Sequence, residues 1–176
     1  QESRGLGDVY KRQVSETSGV KKDRVKQYRI LEAKLSDKTQ STGSNEDFLR
    51  SCDIRVAVVE RARNFNFAGR LEELVNRTNQ LNFTKSRMAV GTMEEYVSSV
   101  SENLTYSLFA WDKYGYYGLV GFAGVSNRGD NLEHFLFSCR TMNMGVERAL
   151  AAYIKEKLPN KNLKFPVSSE LPDWIT

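Results

Sequence analysis

The chain has 176 residues, of which 40% are apolar and 27% charged, and its formal net charge is +4. This length and composition are typical of a single folded globular domain and exclude a disordered chain. No stretch is apolar enough to span a bilayer or to act as a signal peptide, so we expect a cytoplasmic location and no membrane partner.

The excess positive charge is confined to the N-terminal quarter of the sequence. Residues 1–43 contain ten Lys or Arg and six Asp or Glu, a difference of +4, whereas residues 44–176 contain sixteen of each. An excess limited to one segment is typical of a solvated helix face, so we expect no nucleic-acid partner. Two cysteines are too few for a disulfide framework and favour a reducing compartment.

The first part of the chain predicts little compact structure. We interpret residues 1–13, "QESRGLGDVYKRQ", as a non-native adapter remnant, because they have no apolar periodicity. Residues 14–44 predict a polar helix at about 22–36, followed by a linker rich in Ser, Thr and Gly. The compact domain should occupy residues 45–176 and begin at "SNEDFLRS", which offers a cap and a short helix.

The compact part alternates between strand and helix patterns. "DIRVAVVERA" predicts a strand, and "FAGRLEELVNRTNQLN" has apolar residues at helical spacing. "TMEEYVSSVSENL" predicts a helix in which Thr92 and Glu95 form a capping box. Three strands ("TYSLFAWDKYG", "YYGLVGFAGVSN", "NLEHFLFSCR"), the helix "MGVERALAAYIKEKL" and a short strand "NLKFPV" follow. These patterns predict an α/β (α+β) fold, with a mixed central sheet flanked by helices.

This order of elements resembles that of GNAT acyltransferases. In that fold the third of three consecutive strands leads into a helix whose N-terminus holds the cofactor pyrophosphate, because free backbone N–H groups and the helix dipole form an anion site there. The fingerprint is Arg or Gln, two residues, Gly, one residue, then Gly or Ala. "RTMNMG" supplies Arg140 and Gly145 but has Asn143 at the first glycine. Asparagine tolerates left-handed backbone, so we expect the turn to form and these three residues to bind phosphate.

A longer resemblance covers about residues 22–158. "RLEELVNRTNQLNFT", "DKYGYYGLVG", "HFLFSCRTMNMGVERAL" and the lead-in "DRVKQYRILEAKLS…EDFLRS" resemble the C-terminal part of FkbH-like proteins. Those proteins join a haloacid-dehalogenase-type phosphatase domain to a GNAT-like domain. The resemblance implies transfer of a small, glyceryl-like acyl group to or from the phosphopantetheine thiol of an acyl carrier protein.

The phosphatase half of FkbH-like proteins has no counterpart here, because its Asp-x-Asp-x-Thr motif does not occur. Phosphate release and Mg²⁺ binding are therefore assigned to a missing half, which would be a partner domain within the full-length protein. We also expect the GNAT-like domain to be incomplete at its C-terminus. No metal-ligand spacing occurs, so no metal site is expected in this chain.

Cys139 is the first catalytic candidate, and two interpretations stay open. Free cysteine is among the most buried residue types, which favours a structural thiol. The alternative is an acyl-accepting thiolate, favoured by Arg140 and by the following helix N-terminus. Cys52 serves as an internal control, because the adjacent Asp53 should raise its pKa.

Other residues are further candidates. His134 and Asp112 are possible acid–base groups, although strand alternation places His134 on the face opposite Cys139. An amide-rich string at residues 76–84, "NRTNQLNFT", could hydrogen-bond a glyceryl group or a pantetheine arm, or could simply terminate a helix. Its predicted binding residues are Asn76, Arg77, Thr78, Asn79 and Asn82.

Two other functions compete with acyl transfer to a carrier protein. One is a GNAT-type N-acetyltransferase that uses acetyl-CoA, in which case coenzyme A replaces the carrier's phosphopantetheine. The other is a non-catalytic module that docks the carrier protein or the phosphatase domain.

Overall fold

The structure is a computed structural model that describes residues 20–176, with side chains from residue 24 onward. The interpretation of residues 1–13 lies outside this range. The helices are α1 (Val20–Gln40), α2 (Asn45–Ser51), α3 (Ala68–Arg77), α4 (Met93–Ser98) and α5 (Val146–Lys157), and the strands are β1 (Arg55–Glu60), β2 (Asn103–Asp112), β3 (Gly115–Ser126) and β4 (Leu132–Phe137). Two 3₁₀ helices cover Arg61–Phe67 and Cys139–Thr141.

The four strands form one sheet in the order β1-β2-β3-β4, and every neighbouring pair is antiparallel. The α/β (α+β) class is thus confirmed, but the four described strands form an antiparallel sheet and not the mixed sheet that was expected. The predicted last strand, "NLKFPV", is wrong, because residues 162–167 have no strand assignment. Its alternating apolar side chains still pack on the core, where the Phe165 ring lies 5.8 Å from that of Phe135.

Helices cover both faces of the sheet. One core cluster combines side chains of α1, α2 and α5, including Leu150 and Ile154, with one face of the strands. The other combines Leu71 and Val75 of α3, together with residues of α4, with the opposite face. Burying two apolar faces of a sheet against helices is the usual way to enclose a core of this size.

α1 is longer than the sequence predicted, since the helix continues to Gln40 and shortens the expected linker. It packs across the turn between β2 and β3. Ile30 is buried there, and a Cβ on Gly115 would come within 2.6 Å of its Cδ1. Gln27 Nε2 also donates a 2.6 Å hydrogen bond to the carbonyl of Tyr116. α1 is therefore fixed to the domain along one face.

The two predicted helix caps differ in outcome. At α2, Ser44 and Asp47 form the reciprocal bonds of a capping box, which confirms the cap expected at "SNEDFLRS". At α4 the predicted Thr92–Glu95 box is wrong, because the Thr92 hydroxyl donates to the carbonyl of Ala89. The Glu72 carboxylate takes over the capping role, because it accepts from Met93 N at 3.5 Å and from Gly91 N at 2.8 Å.

Candidate functional site

Cys139 lies in the 3₁₀ turn that leaves β4, and its side chain is exposed. The turn is held by Ser138, whose hydroxyl accepts from Arg140 N at 3.3 Å. The interpretation of Cys139 as a buried structural thiol is therefore wrong. The sequence could not decide whether Cys139 is buried or exposed, because the residue lies only two positions after the end of a buried apolar run.

Cys52 is the buried cysteine, with no exposed surface. Burial raises the pKa of its thiol, and the nearby Asp112 carboxylate adds to the rise while the Lys34 ammonium opposes it. The expected direction was right but its expected cause was not. Asp53 lies at the surface, where its carboxylate pairs with Arg55.

Arg140 is anchored to the neighbouring strand. Its guanidinium donates to the carbonyls of Tyr117 at 2.5 Å and Leu119 at 3.0 Å, and to the Ser138 hydroxyl at 3.1 Å. These carbonyls flank Gly118, where β3 departs from regular register with β2. Arg140 therefore clamps the β4 exit turn to an irregular part of β3. A phosphate ligand would have to compete with these bonds.

The turn before α5 has the backbone geometry that the sequence predicted. Asn143 adopts a left-handed conformation with φ 66°, as expected for an asparagine in place of glycine. Gly145 follows with φ 83° and directly precedes α5. The expectation that Asn143 would permit this turn is confirmed.

The start of α5 is covered by the C-terminal segment. A Cβ on Gly145 would lie 3.2 Å from both Pro172 and the Trp174 ring. The Trp174 indole donates to the carbonyl of Met144 at 2.8 Å, and the Arg148 guanidinium lies over the ring at 5.6 Å. In this arrangement the residues at the start of α5 do not form an open cradle for the phosphates of coenzyme A or phosphopantetheine.

The same segment reaches the edge of the sheet beside β1. Ile175 forms a parallel bridge with Ile54. Thr176 N donates to the Ile54 carbonyl at 3.0 Å, and Val56 N donates to the Thr176 carbonyl at 3.1 Å. The C-terminal segment thus links β1 to the start of α5.

The outer edge of β4 is paired by the amide-rich string. Phe83 N donates to the Phe135 carbonyl at 3.0 Å, and Phe137 N donates to the Leu81 carbonyl at 3.1 Å. Two of the backbone groups that could accept a further strand at this edge are therefore in use. This pairing explains why "NLKFPV" packs on the core without joining the sheet.

The amide side chains of this string hold the loop that follows α3. Asn82 is fully buried and donates to the carbonyls of Thr78 and Ser86, at 3.4 and 2.7 Å. Asn76 bonds both backbone groups of Met88, at 2.8 and 2.9 Å.

The other predicted residues of the string have similar intramolecular partners. The Thr78 hydroxyl donates to the Leu74 carbonyl, Asn79 accepts from Arg87, and Arg77 pairs with Glu73 on the helix surface. The structure thus gives the string a loop-holding role, and a ligand-binding role stays a prediction.

Asp112 takes part in a buried ion pair. Its carboxylate accepts from Lys34 Nζ at 2.7 Å and from the Tyr117 hydroxyl at 2.7 Å. It also accepts from Tyr114 N at 2.9 Å at the β2–β3 turn. Burial raises the pKa of the Tyr117 hydroxyl, and its bond to Asp112 adds to that rise. A carboxylate held by three donors is poorly placed to act as a general base.

His134 is buried on the face of β4 that contacts α4. Its Nδ1 lies 2.7 Å from the Ser86 hydroxyl, and the Tyr96 ring meets the imidazole edge-on at 5.1 Å. Burial lowers the pKa of His134, which favours the neutral ring. The structure does not bring it together with Cys139 in any hydrogen bond among the described residues.

Sequence reasoning missed Lys34 and Trp174. Lys34 follows Gln27 and Ile30 at helical spacing, so the face of α1 that packs on the sheet was visible as a pattern. Because lysine is charged, the sequence did not identify Lys34 as a residue of this packed face. Trp174 gave no comparable signal, because its partner Met144 lies 30 residues away in the chain.

Within residues 20–176, no group of three or more His, Cys, Asp or Glu side chains is placed to hold a metal ion. None of the helices in this part of the chain is both long and apolar enough to cross a membrane.

Comparisons with protein-family models, with curated proteins and with solved structures found no match to this chain. The resemblance to FkbH-like proteins therefore stays a prediction that rests on the quoted strings.

Proposed function

We propose that the domain accepts a small acyl group on Cys139 and exchanges it with the thiol of an acyl carrier protein. The observation that carries the proposal is the exposure of Cys139 in the turn after β4, in contrast to the buried Cys52. An acyl-accepting thiol must be reachable by the phosphopantetheine arm of a carrier protein. The resemblance to FkbH-like proteins supports a glyceryl-like acyl group.

The exchange needs only two sulfur atoms and one acyl group. The Cys139 thiolate attacks the carbonyl carbon of the incoming thioester and forms a new C–S bond. The bond to the donor sulfur then breaks, and the donor leaves as a thiolate that takes up a proton. The reverse step uses the carrier thiol as nucleophile. The acyl group is held as a thioester both on Cys139 and on the carrier protein. The free energies of these two acylated states therefore differ little.

The surroundings of Cys139 indicate that the turn positions the thiol. They give no role to the two acid–base candidates named from the sequence. Arg140 fixes the turn to β3, so the thiol lies at a defined place on the surface. Asp112 is held by Lys34, and His134 is bonded to Ser86. The proposed exchange therefore proceeds without either as a general base.

A non-catalytic docking module is the second candidate. It is favoured by the cover that Pro172 and Trp174 place over Gly145, where a cofactor phosphate was expected. The same contact disfavours the acetyl-CoA-dependent alternative, because that activity requires an open phosphate site next to α5.

Acyl-trapping on the full chain tests the proposal. The purified chain is mixed with a carrier protein loaded with a radiolabelled glyceryl thioester and then quenched in denaturant. We expect a labelled adduct that hydroxylamine removes, that Cys139→Ala abolishes and that Cys52→Ala leaves intact. An adduct that survives Cys139→Ala contradicts the proposal.

Two binding measurements separate the alternatives. Absence of an adduct, together with binding of the carrier protein, would make the chain a docking module. Calorimetry with acetyl-CoA that gives micromolar affinity would favour the acetyltransferase instead.

A further inference from the structure

The face of α1 that points away from the domain has an apolar stripe that no other element of residues 24–176 covers. Val25, Tyr28 and Leu35 are 54%, 66% and 65% exposed, although each is a large apolar side chain. They follow one another at spacings of three and seven residues, so they lie along one side of the helix, with Glu32 between them. Such spacing is the pattern by which a helix binds another helix.

The stripe is held in a fixed orientation. The opposite face of α1 is anchored by Gln27 to the Tyr116 carbonyl and by Lys34 to the buried Asp112 carboxylate. Ile30 is buried between these two contacts. Because the inner face is bound along its length, the outer stripe cannot turn inward to hide from water.

Cations border the stripe. Arg24, Lys26 and Arg29 are all exposed, and none has a salt bridge to a residue that the structure describes. Glu32 is the single acidic residue within the stripe. The charge balance points to an acidic partner, since like charges opposed across an interface are unfavourable.

The same charges weigh against two other occupants. A second copy of α1 would bring two basic faces together. An anionic lipid surface needs a broad apolar face on the helix, whereas this stripe is narrow and contains Glu32.

We propose that the outer face of α1 docks an acidic amphipathic helix of a partner protein. Val25, Tyr28 and Leu35 contact the apolar side of that helix, and Arg24 and Arg29 contact its carboxylates. This inference does not depend on acyl transfer and stands if the adduct experiment fails.

Fluorescence anisotropy with two labelled synthetic helices provides the test. The probes share a leucine stripe and differ only in having Glu or Lys at the flanking positions. We expect the Glu peptide to bind at least about tenfold more tightly than the Lys peptide. Raising the salt concentration from about 0.05 M to about 0.3 M should weaken that binding, because exposed charges are screened.

Three variants assign the binding to α1. Tyr28→Ser with Leu35→Ser should abolish binding, and Arg24→Glu with Arg29→Glu should reverse the preference between the peptides. Val90→Ser is the matched control, because Val90 is an apolar residue with 90% exposure on a different part of the surface. Circular dichroism and urea unfolding confirm that each variant is folded.

Several results would overturn the inference. Equal binding of the two peptides, or no binding of either, would contradict the proposal that the partner is an acidic helix. Co-sedimentation with phosphatidylserine–phosphatidylcholine vesicles that the Tyr28/Leu35 double variant abolishes would make the occupant a lipid surface. A dimer seen by analytical ultracentrifugation and lost in that variant would make it a second copy of the chain.

Discussion

Lys34 Nζ lies 2.7 Å from the Asp112 carboxylate, which has no exposed side-chain surface. The pair joins α1 to the end of β2, and its two residues are 78 positions apart in the chain. The same ammonium lies 3.4 Å from the Met144 sulfur, in the turn before α5. One lysine therefore connects the N-terminal helix to the turn in which phosphate binding was predicted.

Replacing Lys34 with Met should destabilise the fold strongly. The substitution keeps the length of the side chain but leaves the Asp112 carboxylate buried without its cation, at a cost of about 3 kcal/mol. Urea unfolding followed by circular dichroism measures the loss. Lys38→Met is the control, since Lys38 is an exposed lysine of the same helix. Equal effects of the two substitutions would contradict a stabilising ion pair.

His134 should make stability depend on pH on the acid side of neutrality. Its pKa in the folded chain is lowered by burial from the ordinary value of 6.5. The unfolded chain therefore binds the proton more readily, so the stabilisation is present above pH 6.5 and is lost as the pH falls towards the lower folded value.

Urea unfolding at several pH values, compared between wild type and His134→Gln, isolates this contribution. The difference between the two free energies of unfolding should shrink below pH 6.5. A difference that stays constant with pH would show that burial does not perturb His134.

Substituting Ala for Gly145 should displace the C-terminal segment. Gly145 has φ 83°, and its added Cβ would meet Pro172 and Trp174 at 3.2 Å. Gly91→Ala is a close control, because Gly91 has φ 81° with nothing within 4 Å of an added Cβ. Both variants should lose about 1 kcal/mol from left-handed backbone strain.

Only Gly145→Ala should also change the environment of Trp174. Acrylamide quenching of tryptophan fluorescence, measured in a Trp111→Phe background, reports the exposure of this ring. Unchanged quenching in Gly145→Ala would mean that the segment adjusts without leaving the start of α5.

Iodoacetamide should label Cys139 well before Cys52 in the native chain. Cys139 is exposed, whereas Cys52 is fully buried and its pKa is raised by that burial. Peptide mass spectrometry at neutral pH measures the two rates, and labelling in urea provides the control in which burial is removed. Faster native labelling of Cys52 would contradict the structure.

Much of the fold was predictable because it rests on local patterns. Strand-forming segments rich in apolar residues identified β1 to β4, and Val146, Leu150 and Ile154 gave the buried face of α5. The errors arise where a distant residue takes over a local role. Glu72 caps α4 in place of the predicted Thr92–Glu95 box, and no local pattern reports a partner 19 or more residues away.

The candidate site was less predictable, because its residues can bind a ligand only if the fold leaves their side chains exposed. The sequence placed Cys139 after an apolar strand, but its exposure depends on a turn whose conformation is fixed by Arg140 and Ser138. Conversely, the side-chain amide of Asn82 could bond a ligand as well as it bonds the backbone of the protein. Only the structure assigns them to the loop after α3.

Both lateral edges of the sheet carry short extra pairings, and this has a consequence for self-association. Exposed strand edges offer unpaired backbone groups that recruit strands from other molecules. Here Leu81 and Phe83 bond the outer side of β4, while Thr176 bonds the start of β1. Loss of the last five residues, which include Trp174, would expose the β1 edge while leaving the main core in place. Such a trimmed chain should form fibrillar or amorphous aggregates from a folded state, at denaturant concentrations where the intact chain stays monodisperse.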